Sequence, residues 1–202
     1  MKDQRRVYFL TKNKGKFREA AAVAASMGLR LRMLAAAKVE VQSDSLREIA
    51  SYAAQEAANR LEVPVIAEDA GLFVDKLQGF PGPYSSDAFK RLGIRGILTL
   101  MSDVKQRGAR FHSAVAFCEP HQKPRCFIGT VTGTISRAPR GTTGFGFDPI
   151  FVPTRGDGRT FAQMSVEKKN KISHRAASFR KLSRWLQKRQ TVQDQNNPSS
   201  TH

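Results

Sequence analysis

The side-chain period changes along this chain, and the change limits what it can fold into. Up to about residue 61, short apolar runs alternate with stretches of helical period. Val7–Leu10 reads as a buried strand, a glycine-containing turn follows, and the alanine-rich stretch predicts a helix over Lys16–Met27 with Gly28 as its stop. Leu29–Leu34 reads as a second strand. Ser45, with Glu48 three residues later, has the pattern of a capping box opening a helix to about Leu61, with Leu46, Ile49, Ala53 and Ala57 on its apolar face. The centre is different. Phe111–Phe117 alternates, residues 120–124 turn between two prolines, and Arg125–Ile135 alternates again, which predicts an antiparallel hairpin.

The segments between carry stops and turns. Pro64 ends the second helix, and Val65–Ala67 reads as a short strand delivering Glu68 and Asp69 at its end, where Gly71 permits a turn. Gly79, Pro81, Gly82 and Pro83 mark a loop, after which residues 87–105 read as helix. A last helix is predicted over residues 167–187, with Ile172, Ala176, Phe179, Leu182 and Leu186 on one face. Residues 1–189 are expected to form a single domain, and residues 190–202, which lack an apolar period, a disordered tail.

A chain of 202 residues supports one compact unit, or two lobes sharing a cleft. No window approaches the eighteen or so apolar residues of a membrane span, and the charged N-terminus runs directly into a strand-like stretch. The cytosol is the expected location. Cys118 and Cys126 are too few and too far apart for a disulfide framework or a C-x-x-C metal knuckle. Lysine and arginine total 34 against 17 acids, a net charge of +17 that points to a polyanionic partner. No zinc knuckle or RNP motif accompanies it, so a triphosphate-binding enzyme with a solvated basic surface is favoured over a nucleic-acid binder.

Four segments could carry chemistry. In Thr11-Lys12-Asn13-Lys14-Gly15-Lys16, backbone N–H groups at a helix start, a glycine and lysines suit phosphate, although the Walker A spacing is absent and a solvated basic turn has the same composition. Glu40, Glu68 and Asp69 are hard carboxylates of the kind magnesium takes together with phosphate oxygens, and equally the acids of an ordinary surface loop. Gly144-Phe145-Gly146-Phe147-Asp148-Pro149 alternates aromatics with glycines, as a loop stacking on a planar base or as a cap over a core. Finally, residues 167–175 end on Ser173-His174-Arg175. There an arginine could donate to a 6-keto oxygen and a lysine could neutralise phosphate, whereas most such helix residues are solvated.

Together and in order, these segments resemble the inosine triphosphate pyrophosphatase family. The matching motifs are T-x-N-x-x-K at Thr11, E/D-D-x-G-L at Glu68, G-x-P-G-x-Y-S at Gly79, G-F-G-aromatic-D-P-x-F at Gly144 and K-x-x-x-S-H-R at Lys169. The resemblance covers about Val7 to Leu186. It implies a mixed α/β fold, an elongated sheet with flanking helices in two lobes around a central nucleotide-binding cleft, and a homodimer. It also implies hydrolysis of ITP, dITP and XTP to the monophosphate and pyrophosphate, with Mg2+ as cofactor. Thr11, Asn13, Lys14, Gly15 and Lys16 would hold the triphosphate. Glu40, Glu68 and Asp69 would support the metal, with Asp69 also the general base. Ala70, Phe145, Gly146, Phe147, Asp148, Lys169, His174 and Arg175 would bind the rest of the substrate. Two departures from the family pattern stand out: Lys12 replaces a small residue, and Ala70 replaces the usual serine or threonine. A basic nucleic-acid-binding protein that has kept the pyrophosphatase scaffold but lost catalysis is one alternative. A pyrophosphatase for modified pyrimidine nucleotides is another, which the Ser173-His174-Arg175 motif disfavours.

Overall fold

The computed structural model describes residues 7–39 and 41–196, so Glu40 and both chain ends lie outside the described residues. The first strand–loop–helix unit is β1 (Val7–Leu10) followed by α1 (Lys14–Ser26), and β2 (Leu31–Leu34) returns parallel to β1. α1 stops where Gly28 takes a φ of 73°, a conformation that costs glycine little. α2 (Leu46–Leu61) starts at Ser45, whose Oγ accepts from Glu48 N at 3.3 Å. The reciprocal half of the expected capping box is replaced, because the Glu48 carboxylate accepts from Ser43 Oγ at 2.8 Å.

β3 spans Val65–Val74, not the three residues expected. It pairs antiparallel along its whole length with β5 (Gly108–Cys118), which continues into β6 (Arg125–Ile135) and β7 (Phe151–Pro153). The sheet order is β2-β1-β3-β5-β6-β7, parallel on one side of β3 and antiparallel on the other, with β4 (Pro81–Gly82) added to β3. Gly71 therefore makes no turn. A Cβ there would lie 2.1 Å from the Gly82 carbonyl oxygen, so this glycine is what lets β4 approach.

Apolar side chains on alternate positions of β3 feed different cores. Ile66 packs with Phe9, Val23, Val115 and Phe179 under α1 and α5 (His174–Asn196), while Val65 and Ala67 pack with Ala50, Ala53 and Ala57 of α2. A third cluster gathers Leu72, Val74, Phe111, Phe151 and Phe161 beneath α3 (Ser85–Leu100). α3 is two helical pieces joined at Gly93, where φ is 62° and ψ −168°, and it ends five residues before the expected Lys105.

The expected last helix is also two, α4 (Val166–Ile172) and α5, because Ser173 is extended (φ −73°, ψ 156°) and its Oγ caps α5 by accepting from Ala176 N at 3.2 Å. α5 runs on to Asn196, into the segment expected to be disordered from residue 190. Extending an existing helix needs no new nucleus, and neither glycine nor proline interrupts the sequence before Pro198.

Candidate active site

One edge of β3 is only partly covered. β1 pairs with it as far as Ala67 and the pairing with β4 begins at Leu72, so Glu68, Asp69, Ala70 and Gly71 have no strand paired on that side. A cleft of about 570 Å³ opens there. Because successive residues of a strand face opposite ways, Glu68 turns toward α1 and α5 while Asp69 turns toward the loop after β2, and the uncovered edge lets both line the same cleft.

At one end, the chain leaves β1 and enters α1. Asn13 caps that helix, its Oδ1 accepting from Lys16 N at 3.0 Å while its own N–H donates to Thr11 Oγ1 at 3.1 Å. The helix N-terminus thus abuts a cleft lined by Thr11, Lys12, Asn13 and Lys16, a favourable place for an anion. Lys14 is exposed and does not line the cleft; nor does Gly15. Gly15 has another use: a Cβ there would sit 2.7 Å from the Phe145 ring, so the ring packs against bare backbone.

The two adjacent acids differ in environment. Glu68 is 3% exposed; its Oε1 accepts from Ser113 Oγ at 2.9 Å and from Arg175 Nε at 2.8 Å, and its Oε2 has no hydrogen-bond partner and lies 3.3 Å from Lys16 Nζ. Burial alone would raise its pKa, but the Arg175 and Lys16 charges and these hydrogen bonds hold it at about 2. At Asp69, with Lys38 Nζ 3.4 Å from its Oδ1, burial outweighs the Lys16 and Lys38 charges and the pKa rises. Ala70 lines the cleft with no hydroxyl; Ser113, its neighbour across the β3–β5 ladder, supplies one, directed at Glu68.

At the other end lies a buried charge network centred on Glu19 of α1. Its Oε1 accepts from Lys169 Nζ at 2.7 Å and its Oε2 from Arg175 Nη1 at 2.5 Å; Lys169 also reaches Asp148 Oδ2 at 2.6 Å. All these side chains are 4% exposed or less. Asp148 Oδ2 in turn accepts from Phe145 N at 2.9 Å, which ties the glycine–aromatic loop to the same network. The Phe145 ring has Lys169 Nζ 5.0 Å and Arg175 Cζ 5.3 Å from its centroid. Phe147, by contrast, is a core residue at 3% exposure, edge-on to Phe89 at 5.3 Å, and only borders the cleft with Gly146.

His174 stacks on Phe111 at 4.7 Å and 12°, and its buried Nδ1 lacks a partner. Burial, followed by the Arg175 and Lys169 charges, pushes its pKa well below 6.5, so it is neutral at pH 7. Arg175 donates to Glu68 and Glu19, which fixes its plane and leaves Nη2 without an acceptor among the described residues.

Every expected site residue within the described chain except Lys14 and Gly15 therefore lines one cleft; Glu40 lies outside the described residues. Glu19 was not anticipated. The signal for it was present, since it falls three residues after Lys16 on a helix otherwise apolar at Ala20, Val23 and Ala24, an acid on a buried face.

The Ham1 family model matches residues 7–185. A protein of Hyperthermus butylicus named dITP/XTP pyrophosphatase is 49% identical over 184 residues, 91% of this chain and 96% of that protein. A protein of Methanopyrus kandleri with the same name is 46% identical over 180 residues, 89% of this chain and 95% of that one. Among solved structures, a Ham1 protein of Coxiella burnetii matches with a TM-score of 0.80 and 28% identity, covering 91% of this chain and 99% of that chain. On this agreement of sequence and fold, the chain belongs to the Ham1 family.

Proposed function

We propose that this chain hydrolyses non-standard purine nucleoside triphosphates, dITP, ITP and XTP, to the monophosphate and pyrophosphate. The observation that carries the reading is the division of one cleft into an anion-attracting helix start, a pair of carboxylates and an end of buried, paired charges with aromatic walls. It is supported by relatives named dITP/XTP pyrophosphatase that match nearly end to end, and those names disfavour a pyrimidine substrate. In this reading the chain is one two-lobed unit acting as a homodimer in the cytosol. Among the described residues, no helix is long and apolar enough to cross a membrane.

Water attacks the α-phosphorus and pyrophosphate leaves. Asp69 takes the water's proton, and burial, by raising its pKa, makes it a better base than an exposed aspartate. Lys16, with the α1 N-terminus behind it, stabilises charge developing on the phosphoryl oxygens, and Thr11 and Asn13 orient the phosphate chain. At the far end Arg175 Nη2 donates to the 6-keto oxygen, while Lys169, Asp148 and Glu19 keep the guanidinium in place. Magnesium fits the residues present: Glu68 Oε2 is a buried hard oxygen without a hydrogen-bond partner, and Asp69 offers a second carboxylate beside it. Among the described residues no third His, Cys, Asp or Glu completes an all-protein site, which suits an ion that takes one or two carboxylates plus substrate phosphates. Such an ion would neutralise phosphoryl charge.

The test is pyrophosphate release from dITP, XTP, ITP, GTP, ATP and UTP side by side, with and without magnesium. Turnover of the three non-standard purines well above the rest, dependent on magnesium, is expected. Equal turnover of UTP or ATP would refute the proposed specificity.

A further inference from the structure

The net charge of +17 is not spread evenly over the molecule. On α2 the cations Arg47 and Arg60 are balanced by Glu48 and Glu56, and Arg60 Nε lies 2.6 Å from Glu56 Oε1. The opposite face of the sheet is covered by α1 and α5, with α4 packed against both, and there the balance is lost. Lys14 and Arg18 on α1 and Lys168 and Lys171 on α4 are exposed. So are Lys181, Arg184 and Lys188 on α5, which share a helix side at spacings of three and four. Against them, Glu167 is the exposed acid on these three helices among the side chains described, since Glu19 is buried.

We infer that this face, formed by α1, α4 and α5, binds nucleic acid through the phosphate backbone without reading sequence. A row of lysines and arginines with almost no opposing acid gains chiefly by releasing counterions from a polyphosphate. The face offers little else. Among the described side chains, the exposed large apolar ones include none on α1 or α4 and only Val192 on α5, and Trp185 of α5 is half-buried against Phe117 and Phe127, so no exposed aromatic is offered to bases and no wedge to a groove. The same lack leaves no apolar foot for a bilayer, the other extended anionic surface. Lysine-rich ground without an apolar centre is also a poor protein interface.

The face is distinct from the cleft. Lys16, Lys169 and Arg175 line the cleft from the same three helices, whereas these cations are exposed outside it, Lys181 also donating to the Ile128 carbonyl oxygen at 2.7 Å. Attachment of this kind would concentrate a triphosphate hydrolase along the template that polymerases copy. That consequence rests on the proposed activity; the binding itself does not.

The test is fluorescence anisotropy of a labelled duplex of about 20 base pairs with the full chain, from about 50 to about 200 mM KCl. Log affinity should fall linearly with log salt, and duplexes of unrelated sequence should bind within about twofold of each other. The triple variant Lys171→Glu, Arg184→Glu, Lys188→Glu should bind at least about tenfold more weakly at about 100 mM salt, with a shallower slope. A control with the same change in net charge, Arg91→Glu, Arg95→Glu, Lys105→Glu on and after α3, should weaken binding less than about threefold. Both variants should keep dITP turnover and wild-type circular dichroism. If the first misfolds, the glutamine versions at the same three positions replace it. Absence of binding at about 50 mM salt, equal loss in the two variants, or binding to phosphatidylserine vesicles but not to the duplex would each overturn the inference.

Discussion

The two ends of the cleft are built on opposite plans. The end at Glu19, Lys169, Asp148 and Arg175 is closed, with every charge buried and paired before any substrate arrives. The end at Thr11, Lys12, Lys16 and Asp69 is half open, and its charges meet at 3.3 to 3.4 Å with room between them. A closed network fixes the direction of a donor, which suits telling one base from another. An open one leaves its strongest interactions to be made with the substrate and in the transition state. Substitutions at the closed end should therefore cost stability, and those at the open end should cost rate.

The largest effect is expected from Glu19→Ala, which takes one of two carboxylate partners from each of the buried cations Lys169 and Arg175 and leaves them only Asp148 and Glu68. Urea denaturation should show a loss of about 3 to 5 kcal/mol, against about 1 kcal/mol or less for Lys38→Ala at the open end. Equal losses would erase the contrast between the two ends.

The adjacent acids sharpen it within a single strand. Glu68 has its pKa lowered from 4.5 to about 2, so its stabilisation is complete above pH 4.5 and disappears as the pH falls through about 2. That interval corresponds to on the order of 3 kcal/mol, which Glu68→Gln should forfeit at pH 7. Asp69, whose pKa burial raises, contributes with the opposite sign, so Asp69→Asn should leave stability unchanged or slightly improved. It should nevertheless lower kcat about a hundredfold or more while dITP still binds. A variant retaining more than about a tenth of wild-type rate would remove Asp69 from the role of base.

Selectivity should follow the closed end. Arg175→Lys keeps a cation between Glu19 and Glu68 but loses the planar fork and with it the free Nη2. The ratio of kcat/KM for ITP over ATP should fall about tenfold, equivalent to about 1.4 kcal/mol. A ratio left intact would assign the 6-keto oxygen to another residue.

The smallest effect concerns His174. Because its folded pKa lies well below 6.5, the unfolded chain binds a proton that the folded chain refuses, and stability falls as pH drops below about 6.5. The expected loss is about 1 kcal/mol between pH 6.5 and 5.5. His174→Phe, which preserves the stack on Phe111, should flatten that part of the curve.

Much of this arrangement is legible in the sequence, and the parts that are not have a common cause. β1 and β6 occupy the ranges their patterns predict, and the motifs name most of the cleft's lining. Missed were features that depend on what a residue meets across space. Gly71 looks like a turn until Gly82 is seen against it, and Ser173 looks like the interior of one helix until its hydroxyl caps the next. Glu19 reads as one polar residue in an alanine-rich helix, and its partners lie about 150 residues away. Phe145 and Phe147 look equivalent in a glycine–aromatic loop, yet one packs on Gly15 beside two buried cations and the other fills the core against Phe89.

Whether this cleft directs water to the α-phosphorus of a non-standard purine triphosphate can be read from the masses of the products when dITP is hydrolysed in oxygen-18 water. One labelled oxygen should appear in dIMP and none in pyrophosphate. Label in pyrophosphate, or release of orthophosphate in place of pyrophosphate, would contradict attack at that phosphorus.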